Sequence, residues 1–258
     1  MRRHLHAEWT KLRTVPGTAW LLLAVAGLTV ALSAVAAAAA TCPSTGCATD
    51  TTKLGLTGVQ LGQAAVALLA VLGVSGEYGT GMIRTTLTAM PGRAAVLAAK
   101  AAVLSGLTMV AATVGVLGSV LAARLILPGS GFTPAHGHPL PSLADGATLR
   151  AAGGSVLYLM LIALLGLGVA TAVRDSAAAG GSVLGLLYLF PIVGHVVADA
   201  HWQRRLWQIS PMDAGLAIQA TTDLRSLPLG PWAGLGVLAA WSAAALLCGG
   251  LLLRLRDA

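Results

Sequence analysis

Charged side chains are scarce in this chain of 258 residues. They make up 10% of the sequence, whereas a soluble domain carries about 25%. Apolar residues make up 56%, so there are too few polar side chains to cover a water-facing surface. The composition therefore excludes an ordinary soluble domain and favours a protein whose solvent is the lipid bilayer.

Motifs that mark enzymes and ATPases are missing as well. The sequence contains no G-x-x-x-x-G-K-[ST] phosphate loop, no H-E-x-x-H zinc helix and no G-x-S-x-G nucleophile elbow. No carboxylate lies in the middle of an apolar run, which argues against a carrier driven by protons or sodium ions. We expect no catalytic residue and no cofactor bound by this chain, and an energy source elsewhere.

Aromatic residues are few, at 4%, and the apolar mass is alanine, leucine, valine and glycine. Small side chains allow the backbones of membrane helices to approach closely. Gly181 and Gly185 lie four residues apart, as do Gly115 and Ser119. These two pairs predict close helix packing, either within the chain or across a dimer.

Six apolar runs are long enough to cross a membrane, which takes about 20 residues. They cover residues 18–40, 56–74, 95–121, 153–173, 177–198 and 231–253. The fold class is therefore an all-α membrane protein with six transmembrane helices, formed by residues 1–258 as a single domain.

The distribution of basic residues predicts the orientation, because loops rich in Lys and Arg stay on the cytoplasmic side. With the N-terminus inside, ten basic residues face the cytoplasm: Arg2, Arg3, Lys11, Arg13, Arg84, Arg93, Lys100, Arg174, Arg254 and Arg256. Six face outward: Lys53, Arg124, Arg150, Arg204, Arg205 and Arg225. Both termini are therefore predicted inside, and topology accounts for the net charge of +7 without a nucleic-acid partner.

Two cysteines, Cys42 and Cys47, fall in the first outer loop. Disulfides form and persist on that side of the membrane, and the spacing is not that of a redox C-x-x-C motif. A disulfide is favoured over two free thiols, but the sequence leaves both open. Cys248 lies in the sixth run and is interpreted as a small apolar packing residue.

Two groups of histidines could bind a metal. His136 and His138 lie in an outer loop, and His195, Asp199 and His201 lie at the outer end of the fifth run, with His195 and Asp199 on one helical face. We favour a different interpretation, that polar residues gather where a helix leaves the bilayer. No metal site is predicted.

The N-terminal residues 1–17 have the pattern of a helix that lies in the inner membrane interface. Leu5, Trp9 and Leu12 form one apolar stripe, while the basic residues lie largely elsewhere. An ordinary positively charged flank of the first span is the alternative.

The polar stretch SGEYGTGMIRTTLTAMPGR, residues 75–93, interrupts the apolar sequence between the second and third spans. Ile83, Leu87 and Met90 lie at helical spacing within it. A short helix with such an apolar edge, placed at the cytoplasmic end of two spans, has no apolar surface of its own to cover it. It therefore predicts a docking site for a partner.

The outer loop 199–230 also predicts short helices, because Trp202, Leu206 and Ile209 lie at helical spacing. Such a helix would lie at the outer interface.

Three stretches resemble ABC-2 type permeases. EYGTGMIRTTLTAMPGRAAVLAAK is similar to the segment that follows the second span in that family. EWTKLRT resembles the start of many actinobacterial members, and SPMDAGLAIQ followed by PWAGLGVLAAW resembles their last outer loop and sixth span. The resemblance extends over nearly the whole chain.

The resemblance implies a plasma-membrane exporter subunit without its own ATPase. Two copies, in a homodimer, would pair with two copies of a soluble ABC ATPase, which binds ATP and Mg. Residues 1–17 would be the elbow helix, the short helices of residues 199–230 would close the exit, and Arg174, Asp175 and Ser176 would form a minor second contact with the ATPase. The coupling residues would be Glu77, Tyr78, Thr80, Arg84, Thr85, Leu87, Pro91 and Arg93.

The expected cargo is amphiphilic, such as an antibiotic, a peptide or a lipid, because the spans carry small and hydroxyl residues and few charges. Drug resistance is one biological role that such cargo would give. A secondary carrier and a membrane scaffold without transport activity are the alternatives.

Overall fold

The computed structural model describes residues 16–42, 49–79, 92–133 and 139–256. Within these ranges the chain forms nine α-helices and two short 3₁₀ segments, and no strand. The helices are α1 (Pro16–Ala39), α2 (Thr51–Gly55), α3 (Val59–Gly79), α4 (Arg93–Ile126), α5 (Gly146–Val173), α6 (Ser176–Val196), α7 (Ala200–Ile209), α8 (Pro211–Leu216) and α9 (Pro231–Arg256). The 3₁₀ segments are Leu127–Ser130 and Ala217–Gln219.

Six of these helices, α1, α3, α4, α5, α6 and α9, are long and apolar enough to cross a membrane. This confirms the predicted number of spans and their positions. The largest difference is at α5, which begins at Gly146 rather than at residue 153. Asp145 caps the helix by accepting a hydrogen bond from the Thr148 backbone amide, so the helix starts before its apolar run does.

α5 is the central helix and packs against α3, α4, α6 and α9. Small residues make these crossings close. A Cβ atom at Gly166 would lie 2.9 Å from the Cβ of Ala70 in α3. A Cβ atom at Gly168 would lie 2.5 Å from the backbone of Ala245 in α9. The predicted role of small residues is therefore confirmed at these helix crossings.

The two predicted pairs of small residues have different surroundings. Gly115 in α4 lies against Ala26 and Thr29 of α1, and the Ser119 hydroxyl donates to the Thr29 carbonyl at 3.1 Å. A Cβ atom at Gly181 or Gly185 in α6 would meet nothing within 4 Å. The first pair packs within the chain, whereas the second pair faces no other helix of the described chain.

Three long connections meet at one end of the bundle, which we call the long-loop end. Their described parts are residues 40–42 and 49–58, residues 127–133 and 139–145, and residues 197–230. The Cys42 amide donates to the Ser130 carbonyl at 3.0 Å, and the Thr51 hydroxyl donates to the Pro139 carbonyl at 2.9 Å. The opposite end, the short-loop end, carries the last turn of α3, the start of α4 and the turn at residues 174–175. Because the six spans alternate in direction, Pro16 and Arg256 also lie at the short-loop end.

Candidate functional site

The sixth span is preceded by a segment that turns back into the helix bundle. α7 lies on the surface with no buried residue, and α8 with the following 3₁₀ turn then enters the bundle. We call residues 211–219 the re-entrant segment. Among these residues only Asp213 and Ala217 are partly exposed; the others are buried. The short helix and the 3₁₀ turn are therefore surrounded by protein, although neither is long enough to be a span.

The start of the re-entrant segment is set by its sequence. Ser210 caps α8, because its hydroxyl accepts a hydrogen bond from the Asp213 amide at 3.1 Å. Pro211 follows at the first helical position, where the missing amide proton costs nothing.

Glycines bring the re-entrant segment close to its neighbours. A Cβ atom at Gly215 would lie 2.6 Å from the Tyr158 ring of α5. A Cβ atom at Gly234 in α9 would overlap the carbonyl oxygen of Ala214, and one at Gly154 in α5 would overlap the Ile218 side chain. Larger residues at these three positions would push the segment out of the bundle.

A buried hydrogen-bond network fixes the segment from the side of α3 and α5. The Tyr158 hydroxyl donates to Oε1 of Gln63, and Nε2 of Gln63 lies 3.1 Å from the sulfur of Met212. Tyr158 and Gln63 are both 0% exposed. A buried amide that loses its partner is costly, so these contacts specify how α3, α5 and α8 fit together.

Two further bonds extend this network. Nε2 of Gln219 donates to the Ser155 hydroxyl of α5 at 3.0 Å, and the Tyr188 hydroxyl of α6 donates to the Gln60 carbonyl of α3 at 2.7 Å. We call Gln63, Ser155, Tyr158, Tyr188, Met212 and Gln219 the polar core. It joins three spans to the re-entrant segment.

Asp213 lies at the edge of the polar core. Its Oδ2 atom is buried and has no hydrogen-bond partner among the described residues. Burial raises the pKa of Asp213, while the Ser210 hydrogen bond and the charges of His195 and Lys53 act in the opposite direction. Burial prevails, so this carboxyl group takes up a proton more readily than an ordinary aspartate.

A second carboxylate, Asp50, ties the long loops together. It caps α2 by accepting from the Lys53 amide at 3.0 Å. It also accepts from the Thr221 amide at 2.5 Å, the Thr221 hydroxyl at 2.7 Å and the Thr222 amide at 3.1 Å. Burial opposes ionisation of Asp50, but the hydrogen bonds from Lys53, Thr221 and Thr222 outweigh it and lower its pKa.

Arg150 of α5 contacts the residue that directly follows the re-entrant segment. Its guanidinium donates to the Ala220 carbonyl at 2.5 Å. The re-entrant segment is therefore held at its exit by α2 and by α5. A cavity of about 420 Å³, lined in part by Asp50, Lys53 and Asp223, lies beside this junction.

The predicted coupling residues lie mostly outside the described residues. Glu77 and Tyr78 belong to the last turn of α3, and Arg93 begins α4. Thr80, Arg84, Thr85, Leu87 and Pro91, and the elbow residues Leu5, Trp9 and Leu12, are outside the described ranges. These assignments stay predictions.

The predicted disulfide is tested only at Cys42. Cys42 takes part in a disulfide bond, and Cys248 is a free thiol. Cys47 lies outside the described residues, so the pairing itself stays a prediction.

One prediction about the histidines is wrong. α6 ends at Val196, and Asp199 begins a new helix by accepting hydrogen bonds from the amides of His201 and Trp202. His195 and Asp199 therefore do not share a helical face. His136 and His138 lie outside the described residues, and the described residues contain no group of three or more metal-ligating side chains.

Lys100, one of the basic residues predicted to face the cytoplasm, is 7% exposed and lies inside the protein. α4 buries the face that carries Val96, Ala99 and Lys100.

The polar core was missed by sequence reasoning, although a signal was present. Gln63 is an uncharged polar residue within the second apolar run, and a buried amide in an apolar helix must find a partner. That signal predicts that Gln63 has a partner but does not identify the partner.

Comparison of the chain with protein-family models and with curated proteins finds no match.

Proposed function

We propose that this chain is the membrane-spanning permease subunit of an ABC exporter. It would work as a homodimer in the plasma membrane, with N-terminus and C-terminus inside, and with ATP and Mg bound by a separate ATPase. The observation that carries the proposal is the re-entrant segment between the fifth and sixth spans. The resemblance to ABC-2 type permeases implies helices that close the exit at this point in the chain.

The long-loop end would be the outer gate. To open a path along α5, the re-entrant segment has to separate from α5 and α9. That movement breaks the Gln63–Met212 and Gln219–Ser155 contacts, and it releases Asp50 from residues 221 and 222. Hydrogen bonds of this kind contribute about 0.5–1.5 kcal/mol each, so the gate is closed at rest and still within reach of the energy of ATP-driven movement.

The short-loop end would receive that movement. Residues 75–93 would dock on the ATPase, and α3 would transmit the displacement, because its last turn carries Glu77 and its other end carries Gln63 of the polar core. The open face of α6 at Gly181 and Gly185 suits contact with a second copy. The cargo would be amphiphilic, such as an antibiotic, a peptide or a lipid.

A detergent pull-down of tagged protein from its own host tests the proposal. The intact chain is compared with a chain carrying Glu77→Ala and Leu87→Asp, and with a control carrying Arg225→Ala in the exposed loop at the opposite end. We expect the intact chain and the control to bring down a soluble ATPase, and the double variant to bring down none. A well-folded chain that captures no ATPase would contradict the exporter assignment and favour a scaffold.

Asp213 favours a second candidate, a secondary carrier driven by protons. A half-buried carboxyl group with a raised pKa is a feature that such carriers use. Transport that persists without any ATPase, stops with an uncoupler and is lost in Asp213→Asn would establish that candidate in place of the exporter.

A further inference from the structure

A groove separates α4 from α9 at the short-loop end. It has a volume of about 340 Å³. Its walls are Ala94, Leu97, Ala98 and Ala101 on α4, and Leu246, Leu247, Gly250, Leu251, Leu253 and Arg254 on α9. Nine of these ten residues are apolar, and the tenth, Arg254, lies at the end of the helix.

The groove exists because α4 and α9 both pack on α5 and make little contact with each other. Alanines face it from α4, and Gly250 faces it from α9, so these side chains leave the space between the helices unfilled. A Cβ atom at Gly250 would be 3.4 Å from Leu97 across the groove. One added methyl group at Gly250 would already touch the opposite wall, so the groove is too narrow there for a helix.

The position of the groove indicates that it opens to the lipid bilayer. Both walls lie within helices that are apolar enough to cross the membrane, and Ala98, Leu247 and Leu251 are exposed on the outside of the bundle. The α4 wall runs from residue 94 to residue 101, about 10 Å along the helix. That is about two thirds of one leaflet of a bilayer core, measured inward from the short-loop end.

The positive charge at the mouth of the groove favours lipids with an anionic headgroup. Arg254 is exposed and stands at the end of the sixth span. Arg93 begins α4 and Arg256 ends α9, so the sequence places two further arginines at the same helix ends. Basic residues between transmembrane helices at a membrane surface bind anionic headgroups.

We propose that this groove is a binding site for one acyl chain of an anionic phospholipid, whose phosphate group contacts Arg254. The inference rests on the membrane-spanning helices and not on the assignment as an exporter. The acyl chain would fill the space between α4 and α9, and the arginine would fix the headgroup at the membrane surface.

Native mass spectrometry of the purified protein tests this site, with phosphatidylglycerol and phosphatidylcholine of identical acyl chains as probes. Gly250→Leu fills the groove from α9, and Ala98→Phe fills it from α4. Gly236→Leu is the matched control for the first, because a side chain there meets nothing within 4 Å at the other end of the same helix. Arg254→Gln removes the charge, and Arg124→Gln is its control at the opposite end of α4.

We expect the intact chain to retain phosphatidylglycerol about fivefold better than phosphatidylcholine, the effect of one cation near an anionic headgroup. Either groove-filling variant should lose retention of both lipids. Arg254→Gln should lose only the preference between them, and both controls should behave as the intact chain does.

Two results would overturn the proposal. One is equal lipid retention by Gly250→Leu, Ala98→Phe and Gly236→Leu. The other is a change in the fraction of dimer, visible in the same spectra, with lipid retention unchanged; the groove would then be a contact between two copies of the chain. Because Gly250→Leu and Ala98→Phe alter opposite walls, failure of one variant to fold leaves the test intact.

Discussion

The two ends of the helix bundle are held together by different kinds of contact. At the long-loop end, polar side chains link segments that are far apart in sequence, as Asp50 does with Thr221. At the short-loop end, the described connection between α5 and α6 is a turn at residues 174–175, and a groove separates α4 from α9. Among the described residues, one end is cross-linked by many specific bonds, and the other leaves surfaces uncovered.

This difference bears on the proposed function, in which the protein opens and closes. Under that proposal, the hydrogen bonds at the cross-linked end would be present in the closed state and broken in the open state. An end with uncovered surfaces and a polar stretch of sequence is suited to external partners, here lipid and the proposed ATPase. Under the proposed function, the first end would be the gate and the second end the attachment site.

The largest effect is expected where the re-entrant segment approaches α9. Gly234→Ala places a methyl group on the carbonyl of Ala214, and backbone cannot move aside as a flexible side chain can. We expect a loss of about 1–3 kcal/mol in the free energy of unfolding, measured by thermal unfolding in detergent. Gly236→Ala, two residues further along the same helix with open space around it, is the control. Equal stability of the two variants would show that the close contact is absent.

A comparable loss is expected in the polar core. Tyr158→Phe removes the hydroxyl group that pairs with Gln63 and leaves a buried amide oxygen without its partner, at a cost of about 1–3 kcal/mol. Adding Gln63→Leu removes the orphaned amide as well and should restore part of the stability. A double-mutant cycle in the same unfolding assay measures the coupling. Strictly additive effects would mean that the two side chains do not interact.

The third effect is a loss of about 1 kcal/mol in the free energy of unfolding, expected when Asp50 no longer links α2 to residues 221 and 222. The pKa of Asp50 is lowered in the folded chain, from an ordinary value of 3.8. Its stabilising contribution is therefore complete at neutral pH and is lost as the pH falls below about 4. We expect Asp50→Asn to be less stable than the intact chain at neutral pH, with a difference that shrinks on acidification. A difference independent of pH would contradict the assignment.

The sequence predicts the spans well because each apolar run is a local property of about 20 residues. It also predicts α7, from the spacing of Trp202, Leu206 and Ile209, and that helix is confirmed. It does not predict that α8 is buried. An apolar stretch of this length is too short to span a membrane and contains Asp213.

The burial of α8 depends on residues distant in sequence. Gly154 and Gly234 leave the space that the re-entrant segment occupies. Gln63 and Tyr158 pair across 95 positions of sequence. No local pattern carries such information, since it arises only when α3, α5 and α9 have packed.

The orientation of the two ends in the membrane tests the central claim most directly. In a chain carrying Cys248→Ala, a single new cysteine is placed at Arg225 in the long-loop end or at Arg84 between the second and third spans. Intact cells are treated with a membrane-impermeant maleimide, and the chain without a new cysteine reports any reaction of Cys42 and Cys47. We predict that Arg225→Cys is labelled in intact cells and that Arg84→Cys is labelled only after permeabilisation. Labelling in the reverse pattern would place the re-entrant gate in the cytoplasm and contradict the account.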